Sequence, residues 1–328
     1  MAKSGSLFAQ RLRQELGARS RLYARGRLHV ESYGNPPVIV FAPEASRHGN
    51  FFDPAFAAIE ANPKWAQRFA KVHAQGRSLP KADRKWRELD SSMSSDALLM
   101  NVFCTPGVAE SRSVRPLLGV DSEELPIFGW RARVPLAKGQ VDRTEVDMRW
   151  GALLVEVKLT ESDFQTCKAA QVEAYRDLDA VFERELLPRV SVPTERLKEP
   201  AEFPEEYTQE EIYVPAENWQ PILYEPTRAS VPGYASYQLI RNVLAAYAQG
   251  ASFCVIHDER RPDLREAWFQ VMAAVKFAEM RVRLKVLTWQ ELVPALPEGL
   301  REFLDRKYGI VAPSDVASPI AGADAFDR

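Results

Sequence analysis

Apolar and polar positions repeat with two different periods along this chain, and each change of period marks a new element. Over residues 6–24 the apolar positions Phe8, Leu12 and Leu16 fall four apart, which predicts an amphipathic helix capped by Ser6. Arg11, Arg13, Arg19, Arg21, Arg25 and Arg27 crowd the rest of it and its exit. That basic face serves either as an arm for a nucleic-acid backbone or simply as a solvated surface. Residues 54–75 read as two short helices interrupted at Pro63, with Trp65, Phe69 and Val72 as a packing layer and Lys64, Arg68, Lys71 and His73 outward. An apolar helix over 92–104, a strand over 127–134, a hairpin over 142–149 and 152–160, and a long amphipathic helix over 161–187 follow. The passage from Pro188 to Pro232 holds too many prolines to be regular. Beyond it the pattern predicts a helix at 235–249, a strand at 251–257, a helix at 263–280, a strand at 283–287 and a closing helix at 297–307.

The hairpin carries the candidate chemistry. Strand residues two apart share a face, so Glu156 and Lys158 point one way while Val155 and Val157 point the other. With Trp150-Gly151 as the turn, Arg149 faces Ala152 and Asp147 faces Leu154, diagonal to Glu156, and Glu145 joins the same face. A one-residue slip of register would separate Asp147 from the other two. Magnesium favours carboxylate and water oxygens, usually one or two protein carboxylates with substrate phosphate completing the shell. A lysine beside it orients the attacking water and offsets charge on the phosphate. The pattern therefore points to a metal site that cuts phosphodiesters, or to an alternating strand whose charged face is merely solvated.

The run Asp142-Arg143-Thr144-Glu145-Val146-Asp147 followed by Glu156-Val157-Lys158 resembles the signature of the PD-(D/E)XK nuclease superfamily, and within it a group of type II restriction-endonuclease-like bacterial proteins. Supporting segments are Ser94 to Asn101, Lys158 to Glu161 and Tyr237 to Asn242, so the resemblance spans about residues 85–310. One departure stands out: Glu145-Val146 occupies the place of the proline-aspartate pair that names the superfamily. The resemblance implies an α/β fold with a restriction-endonuclease-like αβββαβ core, a mixed central sheet flanked by helices. Residues 92–104, 127–134, 142–149, 152–160, 235–249 and 251–257 would fill those roles. It further implies a basic N-terminal helical extension over 1–90, a nuclease-like domain over 91–310 with an insertion at about 161–232, and a tail over 311–328. Asp147 and Glu156, with the Val157 carbonyl, would hold Mg2+ or Mn2+, and Lys158 would be the catalytic lysine. Whether Glu145 or Asp147 contacts the metal stays open.

Further residues carry two readings each. Asp96 is a first-turn carboxylate favoured by the helix dipole, or the additional acidic ligand that relatives carry. Glu161 supports the site from behind or starts a helix. Gln238 and Arg241, three apart on one helical face, reach the metal face or a phosphate, or serve buried hydrogen bonding. Arg260 and Arg261 hold backbone phosphates, or belong to a solvated strand-end loop. Trp219, Trp268 and Trp289 read as core.

Composition sets the class. At 328 residues with 46% hydrophobic and 27% charged side chains, the chain can bury a substantial core. Met1 to Ser6 lacks a secretory apolar run and no stretch approaches a membrane span, so the expected location is the bacterial cytoplasm, with no membrane partner. Cys104, Cys167 and Cys254 read as reduced core residues. The net charge of −2 hides an uneven distribution: residues 1–90 hold 16 Lys/Arg against 8 Asp/Glu, while residues 195–225 hold 9 Glu against 2 basic side chains. Phosphate affinity depends on the local patch, so the sum excludes nothing. The leading expectation is a magnesium-dependent endonuclease acting on double-stranded DNA, a restriction or defence enzyme, as a homodimer and with a companion methyltransferase. The competing classes are a non-catalytic nucleic-acid-binding protein that keeps the fold, and a nuclease for RNA or for branched or damaged structures.

Overall fold

The computed structural model of the chain describes residues 4–34, 36–44, 46–72, 79–80, 85–193 and 230–313. Its centre is a five-stranded mixed sheet. The strands are β1 (Ile127–Arg131), β2 (Glu145–Trp150), β3 (Leu153–Val157), β4 (Ser252–His257) and β5 (Leu284–Thr288), in spatial order β5-β4-β3-β2-β1. β1, β2 and β3 pair antiparallel, whereas β3, β4 and β5 run parallel. Parallel pairing requires crossovers, and helices supply them. The helices that matter most are α1 (Ser4–Tyr23), α2 (Ser95–Phe103), α3 (Tyr237–Ala248), α4 (Pro262–Ala273) and α5 (Glu298–Tyr308). Along the chain α2, β1, β2, β3, α3 and β4 follow one another in the order expected from the sequence.

Both faces of the sheet are covered, which is why every residue of β3 is buried. Leu154, Phe253 and Val255 pack with Leu239, Ile240, Val243 and Leu244 of α3 and with Leu264, Trp268 and Val271 of α4. Met148, Trp150, Val155, Val157, Cys254 and Ile256 pack on the opposite side with Leu98, Leu99 and Val102 of α2 and Phe303 and Leu304 of α5. Leu12 and Leu16 of α1 belong to that second cluster, so the N-terminal helix shares the core of the sheet. Each large apolar side chain buried this way contributes roughly 1.5–3 kcal/mol. Cys104, Cys167 and Cys254 are free and buried. Among the described residues no helix is long and apolar enough to cross a membrane.

Four expected segments differ. The helix over 161–187 does not form; its place is taken by a strand at Cys167–Lys168, short helices at Ala169–Val172 and Leu178–Val181, and a 3-10 turn at Arg184–Leu186. The cause lies at its start. Asp163 accepts from the Gln165 amide, Gln165 adopts φ 63°, and the Phe164 and Gln165 carbonyls cap the first turn of α3 instead of continuing a helix. The apolar spacing that suggested one helix is real, because Phe164, Val172, Tyr175, Leu178, Val181 and Phe182 all enter the α3 side of the core. Strands Arg189–Pro193 and Ser230–Tyr234 pair antiparallel within the passage expected to be irregular, whose remainder, 194–229, lies outside the described residues, as do His73, Trp219 and the tail from 314. The helix expected over 263–280 ends at Ala273 and resumes at Ala278–Arg281, and the strand expected to reach 134 ends at Arg131.

Candidate active site

β2 and β3 form a two-residue hairpin whose turn is Gly151-Ala152, because Trp150 pairs with Leu153, Arg149 with Leu154 and Met148 with Val155. The expected turn at Trp150-Gly151 is therefore displaced by one residue. Gly151 holds φ 56°, the conformation needed at the first turn position, and a Cβ there would lie 2.6 Å from Ser122 Cβ. Moving the turn by one residue moves each cross-strand partner by two, so faces are preserved. The registered pairs end at Met148 and Val155, one residue short of Asp147 and Glu156.

The ladder pairing stops at Met148, and the Asp147 carboxylate takes over: its Oδ2 accepts from the Val157 amide at 2.7 Å. A strand residue directs its N–H and C=O to the same neighbour, so the Val157 carbonyl also lies on the Asp147 side. Glu156 is buried with both oxygens engaged: Lys158 Nζ donates to Oε1 at 2.5 Å and Asn242 Nδ2 of α3 donates to Oε2 at 2.9 Å. Burial raises the Asp147 pKa well above the usual carboxylate range, and the nearby Glu156 and Asp96 carboxylates add to it against Lys158 and the Val157 amide. Burial works against the Lys158 ammonium, but Glu156, Glu161 and Asp147 outweigh it and raise its pKa.

The surrounding residues lock this geometry. Glu161 Oε1 accepts from Ser95 Oγ at 2.6 Å and its Oε2 from the Leu159 amide at 2.7 Å, tying the loop after β3 to the first turn of α2. Asp96, in that same turn, accepts from Arg68 Nη2 at 2.6 Å and Lys71 Nζ at 2.9 Å. Arg68 Nη1 donates to Glu145 at 2.8 Å. The helix begins cleanly because Ser94 Oγ accepts from the Ala97 amide.

A family described as "Restriction Endonuclease associating with ARP" matches residues 18–309. The chain belongs to this family. No curated protein and no solved structure matches it.

In this restriction-endonuclease family member, the hairpin brings Asp147, Glu156 and Lys158 together, with Glu161, Asp96 and Glu145 around them. Gln238 is half-buried at the start of α3, and its amide bonds the Phe164 carbonyl. Asn242, four residues on and hence on the same helical face, is the residue that reaches Glu156. It lies within the segment that carried the resemblance, and the i, i+4 relation to Gln238 was the available signal. Arg241 is half-buried with its guanidinium 5.0 Å from the Tyr237 ring centroid and makes no ion pair among the described residues.

The two arginines after β4 are engaged by groups of the protein itself. Arg260 is bound to Asp258, Glu15 and the Tyr308 carbonyl. Arg261 is fully buried and donates to the carbonyls of Leu159, Glu161 and Ser162 and to Asp263. It clamps the loop that follows the candidate catalytic strand. Arg261→Met should therefore cost about 3 kcal/mol or more, because several buried acceptors and Asp263 lose their donor. The check is a lower urea midpoint at unchanged m value.

Proposed function

We propose that this chain is a divalent-metal-dependent endonuclease that hydrolyses DNA phosphodiester bonds, built on the αβββαβ core of PD-(D/E)XK nucleases. The observation that carries it is the end of the hairpin: Asp147 accepts from the amide of Val157, the residue next to Glu156, and Lys158 bonds that same Glu156. Such an acid pair beside an ammonium is what a magnesium-assisted phosphoryl site requires. The family description supports the nuclease class, and its association with ARP is part of the same proposal.

The residues fit a hydrated Mg2+ or Mn2+. Among the described residues no three His, Cys, Asp or Glu groups are placed to hold a metal ion together, so Asp147, Glu156 and the Val157 carbonyl would share the ion with water and phosphate oxygens. Among the described residues Asn242 Oδ1 is buried without a hydrogen-bond partner, while Nδ2 of the same side chain donates to Glu156. When bound, the ion would polarise the scissile phosphate and offset its charge. Asn242 fixes the Glu156 carboxylate, and Glu161 with Ser95 fixes the loop, so the acid pair meets the ion already oriented. Lys158, held as an ammonium by its carboxylate neighbours, positions the attacking water and faces the charge that grows on the phosphate. Asp147 is the favoured ligand over Glu145, which is engaged by Arg68. Arg241, without a carboxylate partner among the described residues, would take a backbone phosphate. Cutting both strands would call for two such sites, hence a homodimer.

Plasmid DNA incubated with the protein should be cut in magnesium or manganese and left intact in chelator. Binding to DNA with no cutting under any of these metals would replace this reading by the non-catalytic one.

A further inference from the structure

The strongest feature outside the proposed triad is a pair of cations delivered by the N-terminal extension. The segment after Pro63 is docked on β1: Trp65 Nε1 donates to the Pro126 carbonyl at 2.8 Å and its ring meets Phe128 edge-on. This places Arg68 and Lys71 over the start of β2, where Arg68 bridges Asp96 and Glu145 and Lys71 shares Asp96. A slot is built for the guanidinium. Gly129 of β1 holds φ 62°, and a Cβ on it would lie 2.0 Å from Arg68 Nη1 and 2.6 Å from Cζ. Among the described residues Arg68 Nε is buried without a hydrogen-bond partner, so the carboxylates do not use all that the side chain offers. Lys71 keeps 44% of its side chain exposed beside an Asp96 that is nearly closed off.

Charge counting gives these cations a purpose. Asp96, Glu145, Asp147, Glu156 and Glu161 face Lys158, Arg68 and Lys71. Adding one divalent ion with all five acids ionised leaves the site neutral. Without the two N-terminal cations the same site would keep a net negative charge and would repel a phosphodiester.

We propose that Arg68 and Lys71 form a phosphate-binding clamp of the cleavage site, held by Asp96 and Glu145 until a nucleic-acid backbone competes for them. The claim deepens the nuclease reading and rests on it for the position of the substrate. The N-terminal extension thereby completes the site rather than merely packing on the core.

The test is DNA affinity against salt, measured by anisotropy with a short fluorescein-labelled duplex in chelator, where neither cutting nor metal contributes. Removing one side chain that neutralises a phosphate lowers the slope of log affinity against log salt by about 0.9. Lys71→Ala, a half-exposed side chain whose removal leaves the core intact, should lower the slope by about that amount, and Arg68→Ala likewise. Arg283→Ala, before β5 at the opposite end of the sheet, should not change it. Asp96→Asn frees Lys71, leaves Arg68 held by Glu145 alone, and should raise affinity about threefold. Unchanged slopes for Lys71→Ala and Arg68→Ala, or no gain for Asp96→Asn, would overturn the clamp. Magnesium cleavage assayed alongside separates the two claims: the expected slopes without any cutting by the wild-type chain would sink the nuclease reading and leave the clamp standing.

Discussion

Replacing Lys158 by methionine is expected to lower DNA cleavage about 10²–10³-fold, which corresponds to losing ~3–4 kcal/mol of transition-state stabilisation. The same substitution should destabilise the fold, because it strands the Glu156 carboxylate in a site where only a few percent of its surface is exposed. Removing one partner of a buried ion pair typically costs about 3–5 kcal/mol, a large part of the ~5–15 kcal/mol that holds a domain together. The two effects separate in a double-mutant cycle. Glu156→Gln removes the charge while keeping an oxygen for Asn242, so Glu156→Gln combined with Lys158→Met should recover most of the lost stability and none of the activity. Thermal unfolding and plasmid cleavage on the four proteins provide the check. Activity that returned along with stability would show that Lys158 acts only as a counter-ion for Glu156.

The sequence made this pair visible because a strand period of two is among the simplest patterns to read: Glu145, Asp147 and Arg149 alternate with buried Val146, Met148 and Trp150 as expected. Sequence alone leaves the turn ambiguous by one residue, because Trp150-Gly151 and Gly151-Ala152 both contain the glycine that a tight hairpin needs. What decides between them is tertiary. Trp150 is drawn into the strand by its Nε1 bond to the Glu124 carbonyl and its packing on Phe103, and Ser122 approaches too closely for a side chain at 151. The broken helix after β3 has the same origin, since residues 164 and 165 are recruited to cap α3, which lies far along the chain. Arg261 illustrates a different limit. A loop arginine ordinarily reads as solvated, and nothing local reveals that the carbonyls at 159, 161 and 162 converge on it. Asn242 falls between these cases: its helical face was legible, its partner only from the fold.

Asp147→Asn should abolish magnesium-dependent cleavage and at the same time stabilise the metal-free protein, by on the order of 1 kcal/mol at neutral pH. The opposite signs follow from the position of the carboxyl. Its pKa is raised by burial and by Glu156 and Asp96, so folding disfavours the ionised form. Between the unfolded value, about 3.9, and the higher folded value the native state binds more protons than the unfolded chain, and stability falls as pH rises through that window. Asparagine carries no such penalty and still offers an oxygen to the Val157 amide. The stability gain should therefore vanish below the unfolded pKa, grow through the window and level off above the folded pKa. Metal reverses the comparison. A divalent cation that binds only the folded wild type adds about 2.7 kcal/mol at a hundredfold excess over its dissociation constant, whereas the asparagine variant should gain much less. Unfolding midpoints of both proteins, with magnesium and with chelator and at several pH values, measure all of this at once. An equal magnesium shift in the two would remove Asp147 from the ligand set, and a destabilised variant at neutral pH would mean that its carboxylate is needed ionised by the fold itself.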